Sequence, residues 1–396
     1  MTPLRRRGSS PTTVSVPGKL ILLGEHAAVY GRPALVAAVG LRLRVSLEDP
    51  VAAEPGRVRF RLPDSGEAVE ASWEEVLAHA RRTREAWETY DRAPGPAAFA
   101  ALAEPARRHG PLHLLQVALG EAARDLGEDG DPGALPSLDV TVTSEIPVGS
   151  GFGSSAAAAV GAVTAYLAHR GADADPRRLH RVSLEVERRL HGAPSGVDNA
   201  TVLHGGVLAA RKLPSGEVSF EGVPVLSSLL GSLRVLGTGR PAEGTGTVVA
   251  AVRALRDREP ARVEAVLDRL AELVGRLRGE LGREEERPEE VLEIVRGAEA
   301  GLEELGVVPE PVRALVRRIE AEGGAAKVSG AGALTGPGAG NLLVYHPEPE
   351  RIAEWGFLAG CERYAVELGV PGARIEGGQE AGEDRDLGPR GAEARP

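Results

Sequence analysis

Aromatic residues make up only 3% of this 396-residue chain, so any core must be mainly alanine, valine and leucine. Cys361 is the only cysteine. No intrachain disulfide can form, which suits a reducing compartment. Cys361 lies in a stretch, Ile352 to Leu368, that reads as a helix, and there it reads as a small core residue rather than a nucleophile. No run reaches the roughly 18 apolar residues that a membrane span needs. The first residues lack the apolar core of a signal peptide. A cytoplasmic protein with no membrane partner is expected. No Lys/Arg-rich run is interleaved with aromatics and the net charge is −10, so no nucleic-acid partner is expected either. Arg5, Arg6 and Arg7 read as part of a solvated tail.

Lysine is the most telling shortage. Of 47 basic residues only Lys19, Lys212 and Lys327 are lysine, leaving 44 arginines. Arginine and lysine are not interchangeable where a compact point charge is wanted. Two of the three lysines fall inside the motifs described below.

What remains is ordinary for a folded protein: 42% hydrophobic and 26% charged residues, in a length that allows two or three domains. Residues 1–12 read as a flexible tail. Thr13 to Val16 and Leu20 to Leu23 read as two apolar runs around Pro17-Gly18-Lys19. Alternation marks strands at Leu41 to Val45, Val58 to Leu62 and Leu138 to Thr143. Residues 73–127 read as helices broken near Pro94-Gly95-Pro96 and His109-Gly110-Pro111. Further helices are expected at Ala156 to His169, Pro176 to His191, Val248 to Leu255, Ala261 to Leu281, Pro288 to Leu305 and Pro311 to Glu322. Val202 to Phe220 has strand and turn character, and Leu342 to Tyr345 reads as a strand. Gly377 to Pro396 has little apolar content and reads as a disordered tail.

Pro147-Val148-Gly149-Ser150-Gly151-Phe152-Gly153-Ser154-Ser155 joins a strand to a helix. Glycines let backbone N–H groups approach phosphate oxygens, and a helix N-terminus adds unpaired donors and partial positive charge. Ser154 could cap the helix or donate to phosphate, and Ser155 could present a hydroxyl to Mg²⁺. The spacing matches neither a dinucleotide fingerprint nor a Walker loop. A plain glycine-serine turn uses the same residues, so the loop alone leaves both readings open.

Val16-Pro17-Gly18-Lys19 through Gly24-Glu25-His26 puts a cation, a carboxylate and an imidazole between apolar runs. His191-Gly192-Ala193-Pro194-Ser195-Gly196-Val197-Asp198-Asn199 follows a helix carrying Glu185 and Glu187. A loop fixed by Pro194 and Gly196 could present Asp198 as acceptor of a hydroxyl proton, and a carboxylate on the helix could hold Mg²⁺. Lys327-Val328-Ser329-Gly330-Ala331-Gly332 is a further glycine-rich turn. Each segment also fits a surface pair, a turn or a loop with no ligand.

Together these segments resemble the GHMP kinases, in order and over roughly residues 13–346. The first looks like the family's P-G-K-x-x-x-x-G-E-H, the second its P-x-G-x-G-x-G-S-S loop, the third its K-x-[ST]-G-A-G segment. Within the family, the segment from His191 to Asn199 is most similar to mevalonate kinases. The resemblance implies an α+β fold of two domains. Residues 13–228 would form a ribosomal protein S5 domain 2-like ATP-binding domain and residues 229–376 a ferredoxin-like domain, followed by a disordered tail at 377–396. It implies ATP and Mg²⁺, and phosphorylation of the mevalonate C5 hydroxyl. Asp198 and Lys19 would be catalytic. Pro147, Gly149, Ser150, Gly151, Gly153, Ser154, Ser155, Gly330 and Gly332 would bind ATP. Lys19, Glu25, His26, Ser195 and Asp198 would bind substrate, and Ser155 and Glu187 metal. Oligomeric state stays open, a homodimer included. The alternatives are another GHMP kinase acting on phosphomevalonate or a sugar, a decarboxylase of the same superfamily, and a non-catalytic ligand sensor. Two departures stand out. Residues 333–340 lengthen the loop after the third motif. Ala242 follows Pro241, where mevalonate kinases often carry a basic residue.

Overall fold

A computed structural model describes residues 11–50, 55–147, 149–192, 194–213, 218–377 and 385–387. Its first sheet is organised by two long strands, β1 (Thr12–Leu23) and β2 (Pro33–Glu48), paired antiparallel along their length. The two apolar runs around Pro17-Gly18-Lys19 are therefore one strand. Pro17-Gly18 produces a register shift rather than a break, as expected for residues that weaken a ladder without ending it. The other edge of β2 is shared. Its second half pairs with β5 (Leu138–Ser144) and its first half with β6 (Val207–Lys212), which pairs on with β7 (Val218–Gly222). Beyond β5 lie β3 (Arg57–Leu62), parallel to it, and β4 (Glu67–Ser72). Alternation in β3 buries Val58, Phe60 and Leu62, as the period-2 pattern dictates.

Helices α1 (Trp73–Arg92), α2 (Pro96–His109) and α3 (Pro111–Asp125) break where Pro and Gly predict. Helix α4 (Ser154–His169) lies across β1 and β2. Its alanines make this closeness possible, and Gly161 sets the limit: a Cβ there would stand 2.9 Å from Val45 Cγ2. Helices α5 (Pro176–His191) and α6 (Val197–His204) complete this layer. The short helix α7 (Leu229–Ser232) leads into the second sheet.

That sheet is wholly antiparallel in the order β11-β8-β10-β9, from β8 (Leu233–Gly237), β9 (Ala325–Ser329), β10 (Asn341–Tyr345) and β11 (Glu362–Tyr364). Between β8 and β9 run α8 (Thr245–Arg258), α9 (Pro260–Leu281), α10 (Pro288–Glu304) and α11 (Glu310–Ala321). The architecture is the expected α+β one. Among the described residues no helix is long and apolar enough to cross a membrane.

Four expectations change. The helix expected from Ile352 to Leu368 is limited to α12 (Arg351–Glu354), followed by a 3-10 turn and β11. Trp355 stacks on Phe357, and Tyr364 meets Phe152 edge-on at 4.9 Å, contacts that one continuous helix would not make. Cys361 is half-buried, and burial raises its thiol pKa, against a nucleophile. Second, residues 366–375 return to the first sheet instead of staying with the second. Gly40 N–H donates to Glu367 C=O and Gly369 N–H to Ala38 C=O, both at 2.8 Å. Strand β12 (Arg374–Ile375) pairs with β1, and the buried Arg42 guanidinium donates to Gly372 C=O at 2.8 Å. Third, part of the tail expected to be disordered is ordered: β13 (Arg385–Asp386) pairs with β12 and Leu387 is buried. Fourth, of the flexible tail expected at residues 1–12, Thr12 already belongs to β1. Residues 1–10, 378–384 and 388–396 lie outside the described residues.

The α1–α3 interface holds a titratable cluster. His79 on α1 and His113 on α3 are buried and hydrogen-bonded, ring nitrogen to ring nitrogen, at 2.8 Å. His109 stacks edge-on to His79 at 5.1 Å. Burial, followed by neighbouring positive charge, pushes both the His79 and His113 pKa values down to about 4. The unfolded chain therefore takes up protons that the folded one refuses, and stability falls as pH drops from 6.5 toward 4. The expected slope is about 1.4 kcal/mol per pH unit per imidazole within that window. Urea unfolding across the window should be less pH-dependent in His113→Gln than in the natural chain. Parallel pH dependences would refute this.

Candidate active site

The site begins with Lys19, in the middle of β1. Its side chain is nearly buried and its Nζ stands 3.2 Å from Asp198 Oδ2. The aliphatic stem lies against Gly153, where a Cβ would stand 2.7 Å from Lys19 Cγ. Gly153 also has a φ of 74°, left-handed backbone that glycine adopts without strain. One glycine thus starts α4 and leaves room for the lysine.

Gly149 and Gly151 are left-handed as well, with φ of 77° and 89°. The loop they shape is held at three points. Lys19 N–H donates to Phe152 C=O at 2.8 Å. Asn341 Nδ2 donates to Ser150 C=O at 2.8 Å, and Ser150 Oγ to Pro147 C=O at 2.7 Å. Phe152 is fully buried. Gly153, not Ser154, is the N-cap of α4, and no side chain caps that terminus. The first turn of a 16-residue helix is therefore left to other acceptors, the arrangement that receives anions.

Asp198 occupies the first turn of α6, whose N-cap Gly196 has φ 78°. Pro194 and Gly196 predict a loop around Asp198; it stands instead on a helix end, where backbone dipoles favour a carboxylate. Ser195 is exposed and its Oγ accepts the Val197 N–H at 3.3 Å, so it shapes the entry to α6. Trp87 Nε1 donates to Gly192 C=O at 2.7 Å, pinning the preceding turn.

The two glutamates of α5 part company, as residues two apart on a helix must. Glu185 pairs with Arg188 and with the buried Arg189. Glu187 is buried, and its Oε1 has no hydrogen-bond partner. Burial, then the charge of Asp198, pushes the Glu187 pKa up to about 8, against the opposing pull of Ser155 and Lys19. A buried, unpaired carboxylate oxygen beside a serine hydroxyl suits a hard cation. Among the described residues no group of three His, Cys, Asp or Glu could hold a metal alone. A cation here would take its remaining ligands from phosphate and water, which is how Mg²⁺ is commonly held.

Glu25 and His26 stand apart from this cluster. Glu25 is buried and ion-paired to Lys327 of β9, which is fully buried. His26 Nε2 donates to Ala331 C=O at 2.9 Å. Burial lowers the His26 pKa. Gly332 is buried with a would-be Cβ 2.2 Å from Val307 C=O, while Gly330 opens on free space. The lengthened loop is stitched to the segment after β8. Thr335 Oγ1 and N–H both donate to Glu243, as does the Leu334 N–H at 3.0 Å. Thr238 Oγ1 donates to Gly340 C=O at 2.8 Å. Asn341, Glu243, Trp87 and Lys327 carry these connections. Of the four, only Lys327 had a sequence signal, its place in a motif and the rarity of lysine.

The GHMP kinases N terminal domain model matches residues 113–206, which contain the glycine loop, Glu187 and Asp198. Cattle mevalonate kinase is 31% identical, covering 91% of this chain and 94% of that protein. The crystal structure of mevalonate kinase from Methanococcus jannaschii superposes with a TM-score of 0.69 at 16% identity, covering 94% of this chain and 100% of that one. Phosphomevalonate kinase from Streptococcus pneumoniae, solved with phosphomevalonate and AMPPNP, superposes with a TM-score of 0.62 at 18% identity, covering 90% of this chain and 99% of that one.

Proposed function

The chain belongs to the GHMP kinases and is an ATP-dependent transferase, and from that premise we propose that it phosphorylates the C5 hydroxyl of mevalonate. The observation that carries the chemistry is the Lys19–Asp198 pair beside the open N-terminus of α4. The likeness to a mevalonate kinase over nine-tenths of the chain supports the choice of alcohol.

Phosphoryl transfer needs alignment and charge neutralisation more than covalent chemistry. In this reading the backbone of Gly149 to Ser155, with Pro147 at its entry, holds the phosphates of ATP. Ser155 and Glu187 hold Mg²⁺, which neutralises phosphate charge when bound. Asp198 orients the acceptor hydroxyl and takes its proton, while Lys19 offsets the charge growing on the transferred group. Glu25, His26 and Ser195 border the acceptor, and Gly330 and Gly332 the nucleotide. The two domains contribute jointly, with their boundary near residue 228, in a cytoplasmic enzyme.

Purified protein given ATP and Mg²⁺ should release ADP rapidly with mevalonate and far more slowly with phosphomevalonate, galactose or homoserine. Phosphomevalonate is the second reading, because a phosphomevalonate kinase shares the fold and Ala242 occupies a place where mevalonate kinases often carry a base. A preference for phosphomevalonate in this panel would replace the proposal.

A further inference from the structure

The third glycine-rich segment does something its glycines do not explain. Lys327, Ser329 and Ala331 are alternate residues, and each bonds to the first motif. Lys327 Nζ pairs with Glu25. Ser329 Oγ donates to Ile21 C=O at 2.8 Å. Ala331 C=O receives His26 Nε2. The second sheet is thereby fastened to the end of the strand that carries Lys19.

His26 is the reason to look closely. It is the only non-glycine residue with positive φ among the described residues, at 57°. Such backbone is strained and persists only where its surroundings over-determine it. The surroundings here are explicit. Gly24, just before, is wedged against Ala34, where a Cβ would stand 2.6 Å from Ala34 Cα. Glu25 is locked by Lys327, and the His26 ring by Ala331. Because Nε2 must donate to a carbonyl, Nδ1 of the neutral ring is left as an acceptor, and it is buried with no partner in the protein.

The charge count singles out Lys327. Two buried carboxylates face it: Glu25, and Glu299 of α10, whose Oε2 accepts the Val328 N–H at 2.9 Å. Lys327 is the cation for this fully enclosed place, and in a chain with 44 arginines among 47 basic residues it is a lysine. A planar guanidinium does not replace a compact ammonium in such a space.

We propose that Lys327 is a positioning residue for the alcohol acceptor, acting through Glu25 to hold His26 in its strained conformation with Nδ1 free to accept from the acceptor. The kinetic part of this rests on the kinase reading above; the conformational part does not. The test uses full-length Lys327→Met, and Lys327→Met/Glu25→Gln, which removes the stranded carboxylate in case the single variant fails to fold. KM for the alcohol that the natural chain phosphorylates should rise about tenfold or more, with KM for ATP within about twofold. Lys327→Arg should not restore it. Separately, ¹⁵N-histidine NMR should give His26 as the Nε2–H tautomer in the natural chain, and that signal should shift in both variants. Unchanged alcohol KM in a folded variant would overturn the proposal, as would an unchanged His26 signal. A rise in KM for ATP alone would also overturn it and give the segment to the nucleotide. If no alcohol is phosphorylated, the function reading fails while the His26 signal still decides this one.

Discussion

Asp198→Asn is expected to lower kcat by about 10²- to 10⁴-fold while ATP binding and folding survive. The substitution keeps the shape of the side chain and removes its charge, so it deletes the proton acceptor alone. Little stability should go with it. The Asp198 side chain is 41% exposed, although Lys19 is nearly buried, so solvent and the carboxamide oxygen still face the Lys19 ammonium and the loss should stay at about 1 kcal/mol. The α6 terminus keeps its Gly196 cap, and the buried residues Ala200, Val202 and Leu203 still anchor the helix. A drop in kcat with unchanged thermal unfolding and unchanged binding of a fluorescent ATP analogue is therefore the expected signature. If kcat stays near normal, Asp198 is not the base. If binding of the analogue collapses together with kcat, Asp198 belongs to the nucleotide site instead.

The parts of this site that sequence made legible are those with local signals. The glycines of the 149–155 loop, the Pro-Gly before Lys19 and the rarity of lysine each announce themselves within a few residues. Glu187 was paired with Glu185 by sequence, and only the direction of α5 separates the buried one from the ion-paired one. The remaining partners are set by folding. Lys327 and Glu25 are 302 positions apart, and nothing local links them. Helix α6 is eight residues long and includes β-branched Val197, Thr201 and Val202, residues that weaken a helical signal. It forms because its apolar side is buried. Strand β12 is two residues long and exists through its pairing with β1. The same tertiary control cut short the helix expected around Cys361, where Trp355 and Phe357 stack on each other.

Lys19→Arg is the sharper test, because it preserves charge. The expected result is a kcat loss of about 10²-fold or more, since misplacing a reacting group by about 1 Å can cost that much. The lysine stem runs through a space that even one added Cβ at Gly153 would fill, and Nζ reaches Asp198 Oδ2 at 3.2 Å. A guanidinium is broader than an ammonium and delivers its donors as a flat fork. To fit, it must push on Gly153, whose left-handed backbone starts the phosphate-facing helix, or withdraw from Asp198. The first route raises KM for ATP, because the loop shifts. The second lowers kcat at constant KM, because the charge is lost only where the phosphoryl group develops it. Measuring both constants in Lys19→Arg separates the routes. A fully active arginine variant would make Lys19 a structural cation whose pairing with Asp198 has no part in the reaction.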